Sequence, residues 1–395
     1  TIYLVRLPDG TLNIKELLQP IPDPRRPPFK GVINITGGSG VFVDYLAQTP
    51  KRPAVNRFTD AHGTVDASGY PDYAFHLSAR GLPSRLVLAR ITGIYDTRAS
   101  RLRLDIDARG ASAAYWTSYL GKPGGVDVLG GRLRALVGAD FRRIDGETRA
   151  AYTGSVRVID ARVRFQAVGE DITAVSGRVA LLANRAAVDV RGRAAGSDVR
   201  LTGTLVGFVN PVLDLVTSIP CADFAALQRV LPLPAEAQAL AVSGTGPVTV
   251  RVTGRHHNPV IQVTARIPLV TIRGYTARDA RVTAVYREGD LFLRSAQFLY
   301  PGGAVQLTGR ILLGRRPTLA IEGRAANLRL AGLPLPPDLR PSGVLRGRFS
   351  ISGPADNPRV TVQGVVRRGS VMGLAFQSAA GSIELIEGRP RGIDL

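Results

Sequence analysis

Apolar and polar residues alternate with a period of two along most of the chain, the pattern of β-strands with one apolar and one polar face. From position 248 onward, Val248, Val250 and Val252 fall on one side, and Thr249, Arg251 and Thr253 on the other. The next stretch sets Ile261, Val263, Ala265 and Ile267 against Gln262, Thr264 and Arg266. Residues 101–107, 291–298 and 318–324 follow the same scheme, and the last two add Leu291, Leu293, Leu319 and Ile321 to the apolar side. A slip of one residue would send every valine to the opposite face, so the register is well specified. The polar face carries Arg, Thr, Asp and Gln, as suits a solvated sheet surface. Helical signal is confined to 14–19, to Ser112–Leu120 with Tyr115, Trp116 and Tyr119, and to Ala222–Val230, where Asp223 is a candidate cap. The expected class is therefore all-β. With so few helices to cover it, the apolar face must fold over on itself, close, or hold a ligand.

Marker residues repeat at long range. Ser243-Gly244, Gly254, Asn258-Pro259 and Gly274 recur as Ser342-Gly343, Gly353, Asn357-Pro358 and Gly373, each pair 99 positions apart. Strands bracket both Asn-Pro pairs. Gly-x-x-x-Asn-Pro suits a turn in which Gly takes positive φ, Asn bonds the local backbone and Pro sets the entry of the next strand. These eight turn positions (Gly254, Asn258, Pro259, Gly274, Gly353, Asn357, Pro358 and Gly373) read as structural punctuation rather than catalytic groups. A looser repeat covers the first half. Gly31-Val-Ile-Asn-Ile resembles Gly154-Ser-Val-Arg-Val, each read as opening a strand, and Leu104-Asp-Ile and Leu213-Asp-Leu each precede an aromatic-bearing short helix. Long-period self-similarity in an all-β chain predicts a quasi-one-dimensional stack, with six to eight strands in each repeat. The expected units run over 1–140, 141–240 and 241–340, with a partial one over 341–395.

Composition narrows the classes of function. The 395 residues are 45% hydrophobic and 21% charged, enough to bury apolar surface and unlike a disordered tail. The net charge of +20 is almost all arginine, since lysine occurs only at Lys15, Lys30, Lys51 and Lys122. Such a balance suits nucleic acid, anionic headgroups or an acidic polymer, or reflects an arginine- and alanine-rich composition with no partner behind it. The arginines are spread along the strands, and aromatics make up only 6%, which disfavours a nucleic-acid stacking platform. Cys221 is the sole cysteine, so neither an intrachain disulfide nor a cysteine metal site is expected. No apolar run reaches the ~18 residues that span a bilayer. The opening Thr-Ile-Tyr-Leu-Val-Arg reads as the inside of a strand and not as a signal peptide, so we expect a segment of a longer protein.

Catalytic signatures are sparse. His256 and His257 sit in the predicted turn, His62 and His76 stand apart, and no metal-binding or phosphate-loop spacing links them. Neither a metal nor a cofactor is expected. Asp105 and Asp107 share one side of a strand and mimic a carboxylate pair, but an outward strand surface explains them as well.

Read together, these features resemble the AsmA-like, TamB-type translocation and assembly module proteins of bacterial envelopes, related to bridge-like lipid-transfer proteins. The residues that carry the resemblance are Asp9-Gly-Thr-Leu-Asn-Ile-Lys-Glu-Leu-Leu, the Gly-Val-Ile-Asn-Ile and Gly-Val-Phe-Val-Asp stretches within 31–44, and the Gly…Asn-Pro…Gly units at 254–274 and 353–373. The resemblance implies an elongated, twisted sheet folded into a taco-like trough with an apolar interior. It also implies a periplasmic location, an inner-membrane anchor outside this segment, and a non-enzymatic role in moving phospholipid between the two membranes. An outer-membrane β-barrel partner of the Omp85 type belongs to the same expectation. The candidate lining is Val248, Val250, Val252, Ile261, Val263, Ile267, Leu291, Leu293, Leu319 and Ile321. Three other readings stay open from the residues alone. The valines also suit a sealed sandwich core. Exposed strand edges suit a scaffold for outer-membrane protein assembly. A β-helix enzyme acting on polysaccharide would need short rungs and clustered carboxylates, and the sequence offers neither.

Overall fold

A computed structural model describes residues 1–7, 13, 30–45, 53–82, 86–119, 126–144, 147–165, 170–208, 210–230, 241–272, 274–300, 302–313, 316–332, 341–371, 373–386 and 389–394. The expected helix over 14–19 and most of the Asp9-Gly-Thr signature lie outside the described residues. The chain is all-β, and its sheet is open and mixed rather than closed into a barrel. Among the described residues two short α-helices accompany it, α1 (Ala113–Tyr119) and α2 (Phe224–Val230). Ser112 caps the first through its Oγ, 3.3 Å from the Tyr115 N–H. Asp223 caps the second, accepting from the Ala225 and Ala226 N–H groups at 2.9 and 3.1 Å.

The chain forms two compact units, residues 1–194 with 200–212, and 195–199 with 213–395. The first contains β1 (Ile2–Arg6), β2 (Val32–Asp44), β3 (Ala54–Asp66), β4 (Asp72–Leu82), β5 (Leu86–Asp96), β6 (Arg101–Ser112), β7 (Val126–Ile144), β8 (Glu147–Phe165), β9 (Asp171–Ala183) and β10 (Arg185–Ala194). β1 runs parallel to β2, and each later strand pairs antiparallel with its predecessor. β11 (Ser197–Val206) and β12 (Val212–Asp223) follow. In the second unit β13 (Ser243–Arg255), β14 (Val260–Ile272), β15 (Tyr275–Arg287), β16 (Asp290–Tyr300), β17 (Gly303–Leu312), β18 (Thr318–Arg329), β19 (Ser342–Pro354), β20 (Arg359–Val371), β21 (Leu374–Ile386) and β22 (Arg389–Asp394) form a second antiparallel meander.

The long repeat is reproduced strand by strand. β13, β14 and β15 start at 243, 260 and 275, while β19, β20 and β21 start at 342, 359 and 374, each 99 later. The marker residues do form the turns. Gly254, Gly274, Gly353 and Gly373 have φ of 94°, 83°, 93° and 84°. The Asn258 N–H donates to the Arg255 carbonyl at 3.0 Å, and the Asn357 N–H to the Pro354 carbonyl at 3.1 Å. Gly154 is a correction to the looser repeat: it lies inside β8 rather than opening a strand. A Cβ there would stand 2.1 Å from the Leu136 carbonyl oxygen, so the residue is glycine because β7 passes close beside it.

A line of bulges crosses each meander. Asp60, Asp160 and Ala174 in the first unit, and Asp279, Asn327 and Arg368 in the second, hold φ between 48° and 58° in the middle of strands. At each, the buried side steps by three residues instead of two. Examples are Phe58 to Ala61, Val158 to Ala161, Ala277 to Ala280 and Ala325 to Leu328. In the first unit register shifts fall at Gly38–Gly40, Thr59–His62, Arg109–Ala111, Gly130–Arg132, Val158–Ala161 and Arg191–Arg193, on β2, β3, β6, β7, β8 and β10. One bulge bends one strand. A row of them bends the sheet along a line and keeps the same face apolar on both sides of the bend.

The core is correspondingly thin. It consists of small clusters along the seams, such as Ile267, Val270, Ala277 and Ala280 with Phe298 and Tyr300 against them. Among the described residues the largest fully buried side chains are Asn56 and Asp44. No Leu, Ile, Phe or Trp reaches that state, whereas a sealed two-layer core is built of such residues.

Candidate functional site

The ten candidate lining residues share one face of the second unit, and the register orders them into rows across the strands. Val250, Val263, Ala284, Leu293, Gly309, Ile321, Ile351, Val360 and Leu385 are successive Cα partners from β13 to β21. On one side of this row run Val252, Ile261, Tyr286, Leu291, Ile311 and Leu319. On its other side run Val248, Ala265, Val282, Ala296, Leu307, Gly323, Phe349, Val362 and Ile383. Ile267 opposes Ala280 next to the seam. Val248 and Ile267 are buried, and the other eight candidates are half-buried.

The first unit carries an equivalent face. Ile35, Gly63, Leu77, Ile91, Ile106, Val137, Gly154, Leu181 and Ala186 form one row from β2 to β10. Beside it lie Ile33, Val65, Phe75, Gly93, Leu104, Ala139 and Tyr152. Alternation in 101–107 already signalled Leu104 and Ile106, but their row partners could be found only from the register. Short helices lie on both apolar faces. Trp116 of α1 packs on Leu86, Ala89 and Ala111. Phe224 and Leu227 of α2 pack on Val248 and Ala265.

In the second unit the rows that begin at Val250 and Val248 each cross eight strand-to-strand steps, about 38 Å at ~4.8 Å per step, and the row that begins at Val252 crosses five.

The opposite face is polar, and several of its carboxylates are paired with neighbouring arginines. Asp140 accepts from Arg101 Nε and Nη2 at 2.9 and 2.7 Å and from Arg142 Nη2 at 2.7 Å. The Arg101 hydrogen bond, followed by that of Arg142, holds its carboxyl well below the ordinary range. Asp105 and Asp107 lie on this face with Arg103 and Arg109. Arg109 Nη2 donates to Asp107 at 2.6 Å and lowers its pKa, the opposite of what a general acid needs. His256 and His257 are exposed in the turn before β14, edge to face with each other. No group of three or more metal-ligating side chains occurs among the described residues.

The arginines require a correction. Spread out in sequence, Arg109, Arg134, Arg157 and Arg178 become direct Cα partners on β6, β7, β8 and β9. Their spacings of 25, 23 and 21 residues conceal this.

Comparison with family models, curated proteins and solved structures returns no match.

Proposed function

We propose that the apolar faces hold the acyl chains of phospholipids and let them move across the strands, as a segment of a lipid conduit in a bacterial envelope. The observation that carries this reading is the set of uninterrupted apolar rows, mostly half-buried and with no second sheet against them among the described residues of either unit. An apolar surface of that size stays in water only at a cost, and an acyl chain removes the cost at roughly 0.8 kcal/mol per methylene. A row of about 38 Å exceeds the ~15 Å of one bilayer leaflet, so a bound chain has neighbouring positions of similar free energy. Movement along the row is then passive, and its direction comes from the membranes at either end. The likeness to AsmA-like envelope proteins supports a periplasmic setting, an inner-membrane anchor and an outer-membrane barrel as partner. The groove needs no catalytic residue and no cofactor.

The test is native mass spectrometry of protein purified without added lipid, with extracted lipids identified separately. Co-purifying phospholipid is expected. A lipid-free protein that also fails to take up a fluorescent acyl probe sinks the proposal.

A further inference from the structure

The polar face of β8, β9 and β10 carries a second site, which does not rest on the lipid reading. Arg157, Arg178 and Asp189 are successive Cα partners on the three strands. Together with Arg191 and Arg200 they line a shallow depression of about 600 Å³. Arg200 satisfies the single carboxylate bidentately, with Nε to Oδ1 at 3.0 Å and Nη2 to Oδ2 at 2.9 Å. Asp189 is thereby neutralised. Arg157, Arg178 and Arg191 remain around the depression, all exposed and without an ion pair among the described residues. Like charges directly opposed on neighbouring strands destabilise a sheet, and Arg157 faces Arg178 in just that way. The row continues into Arg134, so the strands concentrate positive charge instead of dispersing it.

We infer that this depression binds a phosphate group. Guanidinium offers paired donors that match phosphate oxygens, and four guanidinia set against one carboxylate leave an excess of positive charge that fits one dianion or two neighbouring monoanions. A phosphate here neutralises the opposed pair that the protein itself leaves unbalanced. A carboxylate on a neighbouring strand would serve the fold equally well, as Asp140 does between Arg101 and Arg142. Arg178 has the Asp189 carboxylate opposite it, but Arg200 holds that carboxylate, and Arg157 faces only arginines across its two neighbouring strands. Aromatic side chains are missing from the lining, so nothing there stacks a base.

Two sources share this chemistry, a soluble phosphomonoester and a phospholipid headgroup at a membrane surface. Calorimetric titration with glycerol phosphate tests the first. Co-sedimentation with phosphatidylglycerol vesicles, against phosphatidylcholine vesicles, tests the second. Binding in either arm is expected, with the vesicle arm alone positive if an array of headgroups is needed. Arg157→Gln with Arg178→Gln should weaken it by about tenfold per guanidinium removed. The same double variant should keep or raise the thermal midpoint, because it removes the opposed like charges. Arg251→Gln, whose guanidinium is already paired with Asp214 at 3.1 Å, should change binding by less than about twofold. Absence of binding in both arms overturns the inference. So does binding that the double variant leaves intact, or that Arg251→Gln reduces equally. Lipid held on the apolar face should be unaffected by these substitutions, which separates this test from the previous one.

Discussion

Replacing Ile321 by aspartate separates an acyl-binding face from a merely apolar one. Ile321 stands in the middle of its row, between Gly309 and Ile351, and is half-buried. The substitution withdraws its own contact with a bound chain. The new carboxylate also stays hydrated, which keeps adjacent methylenes in water. Together that amounts to three or four methylene equivalents at ~0.8 kcal/mol each, or about 3 kcal/mol. Occupancy at that point should fall about a hundredfold. Folding should suffer less, by about 1–2 kcal/mol, because the residue is only half-buried and the carboxylate keeps part of its water. Ala320→Asp is the control. Neighbouring positions on a strand point to opposite faces, and Ala320 is exposed on the polar one. Its substitution should leave acyl binding unchanged and stability within about 0.5 kcal/mol. The assay is titration with a fluorescent acyl probe, alongside native mass spectrometry and urea denaturation of each variant. If Ile321→Asp folds and binds the probe as tightly as the unsubstituted chain, the row is not where lipid lies.

Two further predictions concern the frame of the sheet. Asp140 has a folded pKa below its ordinary value, so it contributes stability at pH above the carboxylate range. That contribution falls away as the pH drops through the ordinary value toward the folded one. Asp140→Asn should cost about 1–2 kcal/mol at neutral pH and flatten this acid limb; an unchanged limb in pH-dependent urea titrations would show that the Arg101–Asp140–Arg142 bridge carries none of it. Asp279 holds φ of 50°, so Asp279→Val should destabilise by about 1–2 kcal/mol while Asp279→Gly is tolerated, and equal urea midpoints for the two would remove the strain argument.

The alternation made the strands, their two faces and the placing of the ten candidate residues on one apolar face legible, because a period of two is a local property. The marker turns were legible for the same reason, since Gly254 and Asn258 act within a few residues of each other. The seams were written in the sequence as well, although the pattern is easily missed. Phe58-Thr-Asp60-Ala61, Val158-Ile-Asp160-Ala161, Ala277-Arg-Asp279-Ala280 and Ala325-Ala-Asn327-Leu328 share one form, a small polar residue where the apolar step lengthens to three. Asp and Asn tolerate left-handed backbone better than most residues, so each instance announces a bulge. Alternation alone treats the same residues as noise. The rows are a different kind of information. Whether Arg157 faces Arg178, or Ile321 faces Ile351, depends on the turn lengths and bulges between them, and each bulge adds one residue to one strand only. Spacings of 25, 23 and 21 residues therefore converge on one line of arginines, while no fixed period in the sequence marks it. The polar-face depression was invisible for that reason. Its charge was counted correctly, but the pairing register decided where it gathers.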